Sequence, residues 1–548
     1  MDYLSYIFSR QPGDIDSPIL IDADQPQRTI SWRQYASAVK KISVGLHALG
    51  FKQNEAVGLL SPNDPYYYVL ADGVIAAGGT FAGIAPSVKE TELVTCIKAG
   101  CVSWLCASAE FLDLALTTAK SMGIDESRVI LFDPPGRESE KRQPSFSGLL
   151  GSDESVWQNP CEGGDPTKMV AMRQYTSGTT GGTKAVDICH DILIERVKRL
   201  DDADLSPLQH DKGALHYIAM FGVSGGMTHA KAVLGKLPAY FTSAGDAAQI
   251  LDLVQSFGIT LIQLAVPMME GFIAAIHAGV RSRDTLKSLQ SVLVGGAASR
   301  KEGVEAFAAL LPPHAILRTG YGSTEAASVA TTPADMVWTP GYVGLLTDDV
   351  EIKIIDPETL ETLSSETEGE ICVRGPRVFR NYCNNQAATG EAFLTDASGG
   401  RPWYRTGDRG FLDPKNGQLA VTGRFKEIFK VKSQHVSPVE VEDELRKHEL
   451  IADAAVTSVT SRGDDGDDEC MAYVVRRAGG DQSDLTAQDV VDFIASRLAS
   501  YKAPTGGVVF CDRILRNDNG KVMRRRLGEL QEGPGSARYL SLSADKAK

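Results

Sequence analysis

A glycine- and hydroxyl-rich segment, residues 175–184, carries the residues best suited to bind phosphate. It reads Tyr-Thr-Ser-Gly-Thr-Thr-Gly-Gly-Thr-Lys and follows an apolar run that starts at Met169. Glycine lets backbone N–H groups approach an anion, hydroxyl groups add donors, and lysine adds positive charge. The segment is not a Walker A motif, because Lys184 is followed by Ala185 rather than by Ser or Thr. We therefore predict a phosphate-binding loop; a polar turn between a strand and a helix is the alternative.

The composition excludes several classes of protein. With 548 residues the chain is longer than one hydrophobic core usually supports, so we expect at least two domains. The formal net charge of −14 argues against a nucleic-acid partner. No apolar run is long enough to cross a bilayer. The nine cysteines form no C-x-x-C pair and the N-terminus lacks a secretion signal, which together predict reduced thiols and a cytoplasmic location.

The segments that must position the loop alternate between strands and helices. Ser31 and Gln34 form a capping box that predicts a helix to about residue 49. Strands are predicted at 56–60, 103–107, 129–132, 261–266 and 292–295, and helices at 66–77, 111–122 and 247–257. This alternation is typical of a doubly wound parallel sheet. The polar stretch 134–168 predicts a long surface excursion before the strand that leads into the loop.

Small residues follow the strand predicted at 292–295. The strand ends in Gly295-Gly296-Ala297-Ala298. Sheets of α/β proteins bind ligands at the carboxyl ends of their strands, and small side chains there leave room for a flat ligand. Close packing of a helix on the sheet is the alternative.

The character of the sequence changes after Arg424. Strands are predicted at 455–459 and 471–475, joined by the acidic turn 463–469, and a helix is predicted at 489–498. These segments form a small α+β module of roughly 120 residues, an ordinary domain size. Two basic clusters, around Lys430 and around Lys521, suit a small anion such as a nucleotide; a solvated surface is the alternative.

Five short motifs in this order resemble those of the adenylate-forming superfamily. They are residues 175–184, 319–325 (Thr-Gly-Tyr-Gly-Ser-Thr-Glu), 404–408 (Tyr-Arg-Thr-Gly-Asp), 423–427 (Gly-Arg-Phe-Lys-Glu) and 519–521 (Asn-Gly-Lys), with His190 six residues past Lys184. The superfamily includes acyl- and aryl-CoA ligases, firefly luciferase and the adenylation domains of peptide synthetases. In character the chain is most similar to 4-coumarate-CoA-ligase-like acyl-CoA ligases.

The resemblance implies a fold and a domain organisation. It implies a large N-terminal α/β domain built on doubly wound sheets and a small, mobile α+β C-terminal domain. The two would meet at Lys426, the position that resembles the family's hinge. The expected domains are residues 1–425 and 426–532, followed by a flexible tail at 533–548.

The resemblance also implies a reaction. ATP would activate a carboxylic acid as an acyl-adenylate, with release of pyrophosphate, and the acyl group would then pass to the thiol of coenzyme A. Mg²⁺ would assist the first step. Glu325 supplies the carboxylate oxygen that Mg²⁺ prefers, Tyr321 a flat ring on which adenine can stack, and Asp408 a carboxylate that can accept both ribose hydroxyls.

Site residues follow from the resemblance, position by position. Catalysis is assigned to Lys521, Thr324, Glu325 and Lys426, and Mg²⁺ binding to Glu325 and Thr179. Binding of ATP or CoA is assigned to Thr176, Ser177, Gly178, Thr179, Thr180, Gly181, Lys184, Gly296, Ala297, Thr319, Gly320, Tyr321, Gly322, Ser323, Thr324, Asp408, Arg424, Lys430, Lys432, Ser433 and His435. Binding of the acid is assigned to Phe221, Gly222, Met268, Gly295 and Ala326.

The acid and the acceptor are less closely specified. Gly222 stands where related ligases often have histidine, which would enlarge the acid pocket, and no Asp is placed to anchor an amino group, so we expect an apolar aryl or fatty acid. Ser433 and His435 replace a usual Gly and Gln, and a side chain at Ser433 could narrow the thiol channel. An amine or a carrier-protein phosphopantetheine thiol is therefore the alternative acceptor. A catalytically silent binding protein and a luciferase-like oxidation are further alternatives.

Overall fold

A computed structural model describes residues 1–139, 144–178, 182–202, 213–296, 301–395, 399–427, 429–431, 434–460, 468–477, 485–517 and 520–536. By their contacts the residues form two compact units. The first unit comprises Met1–Gly295, Lys301–Ile352 and Val373–Arg405, and the second comprises Gly296–Arg300, Lys353–Cys372 and Thr406–Lys548. A functional boundary between residues 425 and 426 stays a prediction.

The described residues form α-helices of 4 to 17 residues. In chain order they are α1 (Tyr3–Phe8), α2 (Trp32–Ala48), α3 (Tyr67–Ala76), α4 (Glu90–Ala99), α5 (Leu112–Ser121), α6 (Phe146–Leu149), α7 (His190–Asp202), α8 (Val223–Val233), α9 (Ala247–Phe257), α10 (Val266–His277), α11 (Lys301–Leu310), α12 (Gln386–Ala392), α13 (Pro438–Leu445) and α14 (Ala487–Ala495). Short 3₁₀ turns occur at Glu126–Arg128, Glu154–Val156, Arg283–Leu286, Phe425–Glu427, Ser500–Lys502 and Arg524–Glu529.

The strands share five sheets. In chain order they are β1 (Pro18–Asp22), β2 (Thr29–Ser31), β3 (Ala56–Leu60), β4 (Thr80–Ile84), β5 (Trp104–Ser108), β6 (Val129–Phe132), β7 (Val170–Gly178), β8 (Gly182–Cys189), β9 (Ala214–His216), β10 (Ala239–Phe241), β11 (Leu261–Ala265), β12 (Ser291–Gly295), β13 (Ile316–Ser323), β14 (Ala327–Thr331), β15 (Leu345–Leu346), β16 (Glu351–Ile355), β17 (Gly369–Arg374), β18 (Phe393–Leu394), β19 (Trp403–Leu412), β20 (Leu419–Arg424), β21 (Phe429–Val431), β22 (Gln434–Val436), β23 (Ile451–Thr460), β24 (Asp468–Arg476) and β25 (Gly507–Phe510).

A six-stranded sheet carries the predicted phosphate loop. Its order is β6-β5-β3-β4-β7-β8, and all neighbours are parallel except β7 and β8. Every residue of β3 and β4 is buried, as parallel strands covered on both faces require. The predicted loop segment 175–184 therefore includes the ends of β7 and β8, at one edge of a largely buried sheet.

A nine-stranded sheet forms the rest of the first unit's framework. Its order is β15-β14-β13-β12-β11-β9-β10-β1-β2, and the strands from β13 to β1 in this order are parallel. One face packs on α9, α10 and α11 through a cluster that includes Ile262, Val292, Phe272 and Phe307. Each such side chain contributes about 1.5–3 kcal/mol when fully buried. The opposite face lies towards α8.

The second unit has its own smaller core. Strands β23, β24 and β25 form a sheet in that order, β21 and β22 form a hairpin, and α13 and α14 pack with them through Val456, Val474 and Val490. Strands β16 to β20, whose residues are divided between the two units, form a five-stranded sheet of order β16-β17-β19-β18, with β20 on β19. The predicted combination of a large α/β part with a smaller part is confirmed. Among the described residues, no helix is both long and apolar enough to span a membrane.

Helix limits follow capping chemistry. The predicted box at α2 is present: the Ser31 N–H donates to Gln34 Oε1 at 2.8 Å and the Gln34 N–H donates to Ser31 Oγ at 3.3 Å. Helix α14 starts two residues before the predicted Asp489, because Thr486 and Asp489 form a second capping box. The predicted surface excursion 134–168 contains the short helix α6.

Candidate active site

The predicted phosphate loop is the end of a β-hairpin. β7 and β8 pair antiparallel as far as Gly178 and Gly182, so the strand does not stop after the apolar run that precedes the loop. Arg173 holds the base of the hairpin, because its guanidinium donates to Asp187 Oδ1 at 2.8 Å and to the Gly100 carbonyl oxygen at 2.9 Å. The base of the hairpin is thereby fixed to the sheet and to the end of α4.

Lys184 lies over an aromatic ring that sequence reasoning did not single out. Its Nζ is 4.9 Å from the centroid of the Tyr382 ring. The chain around Tyr382 runs beside β8, where the Cys383 N–H donates to the Ala185 carbonyl oxygen at 2.8 Å. A cation over an aromatic face is attracted to the ring without losing its net charge. Lys184 is thus positioned without being neutralised by this contact.

The same tyrosine holds the carboxylate predicted to bind metal. The Tyr382 hydroxyl donates to Glu325 Oε1 at 3.1 Å, and the Phe379 N–H donates to the Glu325 carbonyl oxygen at 2.8 Å. Burial, together with the negative charge of Glu325, raises the pKa of Tyr382, so its hydroxyl stays protonated and remains a donor. Tyr382 therefore connects Lys184 and Glu325, which come from separate motifs.

The turn that contains Glu325 has an uncommon backbone. Ala327 has φ of 56°, in the left-handed region that residues with a Cβ rarely adopt. A Cβ on Gly322 would lie 2.1 Å from the Ala327 carbonyl oxygen, so only glycine fits there. Ser323 Oγ accepts from the Ala326 N–H at 3.1 Å. Gly322 and Ser323 therefore shape the turn that presents Thr324 and Glu325.

A buried arginine holds this turn from behind. Arg196, on α7, donates from Nη2 to the carbonyl oxygens of Thr324 at 2.9 Å and Arg377 at 3.3 Å, and from Nη1 to Gln174 Oε1 at 3.3 Å. Burial lowers its pKa to about 10, and the nearby Arg377 charge acts in the same direction. Arg196 stays cationic at neutral pH and orients the backbone of the turn.

His190 plays a structural part. It is buried at the start of α7, and its Nδ1 accepts from the Tyr3 N–H at 3.2 Å. Burial lowers its pKa to about 4, so the ring is neutral at physiological pH. This histidine therefore ties the N-terminal helix α1 to the strand–helix unit that carries the hairpin.

Two residues predicted to bind the acid flank the start of α8. The Tyr68 hydroxyl donates to the carbonyl oxygens of Met220 at 2.6 Å and Gly222 at 3.2 Å. A Cβ on Gly83 would come within 3.0 Å of Phe221 Cα, so this backbone packs closely on β4. The segment is therefore fixed by the six-stranded sheet.

The other residues predicted to bind the acid or the nucleotide lie at or after β12 and β13. Gly295 ends β12, and a Cβ there would meet the Gly320 carbonyl oxygen at 3.4 Å. Ala326 is fully buried, and Met268 packs against the core cluster on the far face of the sheet. Thr319 is buried with its Oγ1 at 3.1 Å from Thr332 Oγ1. The assigned roles of these residues stay predictions.

In the second unit the predicted ribose acceptor is part of an ion pair. Asp408 lies opposite Arg424 in the β19–β20 ladder, and Arg424 Nε donates to Asp408 Oδ1 at 2.5 Å. Gly407 precedes it with φ of 71°, and the Gly407 N–H donates to Glu370 Oε1 at 3.1 Å. Asp408 is 3% exposed, so its carboxylate is fixed by strand pairing and by Arg424.

The predicted catalytic lysine is also held by a carboxylate. Lys521 Nζ is 2.9 Å from Glu427 Oε1, and Arg524 Nε is 3.3 Å from Glu427 Oε2. Burial would raise the pKa of Glu427, but the cations of Lys521 and Arg524 outweigh it and hold the pKa below its usual value. The tight turn before Lys521 uses Gly520 at φ of 79°.

Several predicted residues lie outside the described residues or are described by backbone alone. Outside are Thr179, Thr180, Gly181, Ala297, Lys432 and Ser433. Backbone positions are described for Ser177 and Gly178 in β7, Lys426 in a 3₁₀ turn, Lys430 in β21 and His435 in β22. Predictions for these residues stay predictions.

Comparison with protein families identifies the chain. A family model described as AMP-binding enzyme matches residues 9–383. The chain belongs to this family. A second model, AMP-binding enzyme C-terminal domain, matches residues 440–521 of this AMP-binding enzyme. The predicted membership of the adenylate-forming superfamily is confirmed.

Individual relatives extend over almost the whole AMP-binding enzyme. A phenylacetyl-CoA ligase of Aspergillus niger is 33% identical over 536 residues, which cover 97% of each chain. 4-Coumarate–CoA ligase 4 of Arabidopsis thaliana is 28% identical over 542 residues, covering 95% of this chain and 90% of that protein. ATP-bound MatB from Rhodopseudomonas palustris has a TM-score of 0.81 at 22% identity, covering 96% of this chain and 99% of that chain, a likeness that concerns the fold. This AMP-binding enzyme is an ATP-dependent, adenylate-forming acid–thiol ligase.

Three residues of this AMP-binding enzyme escaped sequence reasoning. Tyr382, Arg196 and Glu427 hold the predicted Glu325, Thr324 and Lys521, respectively. Tyr382 and Arg196 lie outside the five motifs, and only the fold brings them to the site. Glu427 ends one of the motifs, so its position could have marked it as a site residue.

Proposed function

We propose that the enzyme activates an apolar aryl or fatty acid with ATP and transfers the acyl group to coenzyme A, with release of AMP and pyrophosphate. The observation that carries this proposal is the Lys184–Tyr382–Glu325 arrangement beside the hairpin, in a chain of this family. It brings together a cation for phosphate and a carboxylate for a metal ion. The names of the curated relatives, which are CoA ligases, support the acceptor.

In the first step a carboxylate oxygen of the acid attacks the α-phosphorus of ATP. The bond from the α-phosphorus to the bridging oxygen breaks, and pyrophosphate leaves with the electron pair. Negative charge grows on the phosphate oxygens in the transition state, so cations and donors placed beforehand lower the barrier. We assign Lys184 and the hairpin to the phosphates, Thr324 to the α-phosphate, and Lys521 to the reacting carboxylate and phosphate.

The residues present suit Mg²⁺ bound together with ATP. Among the described residues no group of three or more His, Cys, Asp and Glu side chains could hold a metal alone. Mg²⁺ usually takes one or two protein carboxylates and completes its shell with phosphate oxygens and water. Glu325 supplies such a carboxylate, held in place by Tyr382. When bound, Mg²⁺ would offset negative charge on the phosphates.

In the second step the CoA thiol, as its thiolate, attacks the carbonyl carbon of the adenylate. The bond to the phosphate oxygen breaks, AMP leaves, and the thiol proton passes to solvent. This step needs an open path for the thiol arm rather than Lys521, so we assign a movement of residues 426–532 about Lys426 between the steps. Lys426 lies in a short 3₁₀ turn at the end of β20, where a chain can absorb a change of φ and ψ.

We assign the enzyme to the cytoplasm. All nine cysteines are free, and eight of them are buried, as expected in a reducing compartment. Burial raises the pKa of Cys96 to about 11 and of Cys161 to about 11, so these thiols stay protonated and unreactive at neutral pH.

A panel of carboxylic acids, with pyrophosphate release measured with and without CoA, tests the reaction. We expect release to depend on an apolar acid, on ATP and on Mg²⁺, and CoA to convert the product to a thioester detectable by mass spectrometry. If pyrophosphate is released but CoA is consumed neither by the parent nor by Ser433→Gly, the acceptor would be an amine or a carrier-protein thiol instead. No release with any acid would refute the ligase activity.

The assigned hinge needs a separate experiment. In Lys426→Pro the proline ring fixes φ near −65° and removes the N–H. We expect single-turnover adenylation to be retained and thioester formation to slow, so that acyl-adenylate accumulates on the enzyme. Lys426→Ala, which keeps backbone freedom, is the matched control. Equal impairment of both half-reactions by the proline variant would contradict the hinge.

A further inference from the structure

One row of the nine-stranded sheet is polar on the face that lies towards α8. In the preceding row Leu215, Ile262 and Val292 are register partners and belong to the core cluster on the opposite face. The residues one position further along alternate to the α8 side. They are His216 on β9, Gln263 on β11, Leu293 on β12 and Arg318 on β13, with Gln263, Leu293 and Arg318 in direct register.

Helix α8 adds two polar side chains to this row. Thr228 Oγ1 is 3.2 Å from His216 Nδ1, which fixes the orientation of the helix over the sheet. Lys231 is one turn further on the same face of the helix. Burial lowers the pKa of Lys231 to about 8, and the positive charge of Arg318 acts in the same direction. Together these five groups, His216, Thr228, Lys231, Gln263 and Arg318, are called the polar layer below.

Residues on this face of the sheet and on α8 retain accessible surface. On β11 the exposure alternates, so that Gln263 and Ala265 retain accessible surface while Ile262 and Leu264 have none. Both β11 and β12 are interior strands, so this accessible surface lies on a face of the sheet and not at its edge. The Lys231 side chain also retains part of its accessible surface, although enough protein surrounds its ammonium group to lower the pKa. Such a side chain lies on the wall of a deep cleft.

Groups of the polar layer lack partners within the protein. Among the described residues, neither the Lys231 ammonium nor the Gln263 amide has a hydrogen-bond or ion-pair partner, and no carboxylate pairs with Lys231. His216 is 2% exposed and its Nε2 has no partner. Buried polar groups without partners cost stability unless a ligand or water satisfies them.

We propose that the polar layer binds a second anionic oxygen group, such as a carboxylate, at the far end of the acid that the enzyme activates. This inference rests on the proposed function, because it takes the cleft as the acid's binding site. Gly295 and Gly320 lie two residues beyond Leu293 and Arg318 towards the carboxyl ends of β12 and β13, which is about 7 Å at 3.3 Å per residue.

The dimensions define the class of acid. The apolar body of the acid lies along Leu293 and Ala265, and its second anion lies about 7 Å deeper than the level of Gly295. Lys231 and Arg318 supply positive charge, and Gln263 supplies amide donors. A wholly apolar acid would leave the Lys231 ammonium and the Gln263 amide without a partner among the described residues. The inferred substrates are therefore aryl or medium-chain acids whose apolar body ends in a second carboxylate, which refines the proposed apolar acid at its far end.

Three matched acids test the inference. They are 3-phenylpropionic acid and its para-carboxy and para-hydroxy derivatives, assayed by pyrophosphate release with the full-length enzyme. We expect kcat/KM for the para-carboxy acid to exceed that of the unsubstituted acid by about tenfold or more, mostly through KM, since one charge-assisted contact is worth that much. A preference for the unsubstituted or the para-hydroxy acid would overturn the inference.

Variants separate selectivity from stability. Lys231→Met keeps the length of the side chain and removes its charge, so we expect kcat/KM for the para-carboxy acid to fall by a larger factor than kcat/KM for the unsubstituted acid, which abolishes the preference. Gln263→Leu should reduce the preference by a smaller factor. Lys287→Met, at an exposed lysine of the same unit, should change neither value. Equal losses for both acids in Lys231→Met would show a structural role and overturn the inference.

A binding measurement keeps this inference distinct from the ligase activity. Thermal denaturation of the parent is followed with each acid, without ATP or CoA. If the para-carboxy acid raises the melting temperature most, and Lys231→Met loses this extra stabilisation, the result would support the polar layer. It would do so even if no acid released pyrophosphate, because the lack of release would refute only the proposed reaction. Equal stabilisation by all three acids, combined with pyrophosphate release from each, would retain the reaction and overturn the inference.

Discussion

Two lysines assigned to the phosphates are held in opposite ways. Lys184, in the first unit, lies 4.9 Å above the Tyr382 ring, and Lys521, in the second unit, forms an ion pair with Glu427 at 2.9 Å. The aromatic contact orients Lys184 and leaves its charge uncancelled. The carboxylate of Glu427 largely offsets the charge of Lys521, an effect shared with Arg524.

The difference shows which lysine must exchange partners to act. Lys184 can receive a phosphate group while it stays on Tyr382. The role assigned to Lys521 would require it to leave Glu427 before contacting the reacting carboxylate, and Arg524 would remain to pair with Glu427. A lysine required in one half-reaction only is suited to such a reversible ion pair.

The largest effect is expected when Lys521 itself is removed. Lys521→Ala should slow acyl-adenylate formation by about 10²- to 10³-fold, because one pre-placed charge facing the transition state is worth that much. The check is single-turnover pyrophosphate release, with Lys521→Arg as the variant that keeps the charge. Preformed acyl-adenylate should still react with CoA. Release within a few-fold of the parent would show that Lys521 is misassigned.

Asp408, which is paired with Arg424 in the second unit, should affect the binding of ATP rather than the rate of adenylation. The ribose hydrogen bonds assigned to Asp408 would be made in both ground and transition states, so in Asp408→Ala the KM for ATP should rise by about 10- to 100-fold with little change in kcat. Asp408→Asn keeps an acceptor oxygen, so its KM for ATP should lie between those of the parent and Asp408→Ala. Steady-state kinetics at varied ATP check this, and a fall in kcat at constant KM would contradict the assignment.

Two variants of Tyr382 sharpen the contrast within the first unit. Tyr382→Phe keeps the ring under Lys184 and removes the hydrogen bond to Glu325, whereas Tyr382→Leu removes both contacts. We expect kcat/KM for ATP to fall roughly a fewfold in Tyr382→Phe and about tenfold in Tyr382→Leu. These losses correspond to about 0.5–1.5 kcal/mol of binding free energy for each contact. Identical losses would mean that the ring contributes nothing to holding Lys184.

The smallest effect is expected at Glu427. Glu427→Gln removes the charge that holds Lys521, so adenylation should stay within a few-fold of the parent or increase, while thermal stability falls because Arg524 loses a partner. Arg524 keeps its second carboxylate, Glu442, to which Nη2 donates at 3.2 Å. Single-turnover adenylation and a melting curve provide the test; a collapse of adenylation would assign Glu427 a direct role.

Local signals in the sequence predicted the framework well. The capping box at Ser31 and Gln34 and the apolar runs of β3, β5 and β6 are decided by neighbours within a few residues, and the structure confirms them. Motif order identified the family, which is confirmed. The length of the β7–β8 hairpin was not predicted, because glycine, serine and threonine give its end little apolar alternation.

Long-range contacts account for what the sequence could not predict. Tyr382 reaches Glu325 only because residues 381–383 run beside β8, a pairing that no local pattern indicates. The polar layer also depends on register, since His216, Gln263 and Arg318 lie far apart in the chain and share one row only in the folded sheet. Roles assigned by resemblance to individual site residues stay predictions.

Arg196 imposes an order of assembly on the active site. Its acceptors in Gln174, Thr324 and Arg377 are 22, 128 and 181 residues away along the chain. Contacts that close long loops form late, because the loop entropy is lost before the contact is gained. During synthesis the support behind Thr324 cannot be completed until residue 377 has left the ribosome, so Arg196 joins its three acceptors only late in the synthesis of the first unit.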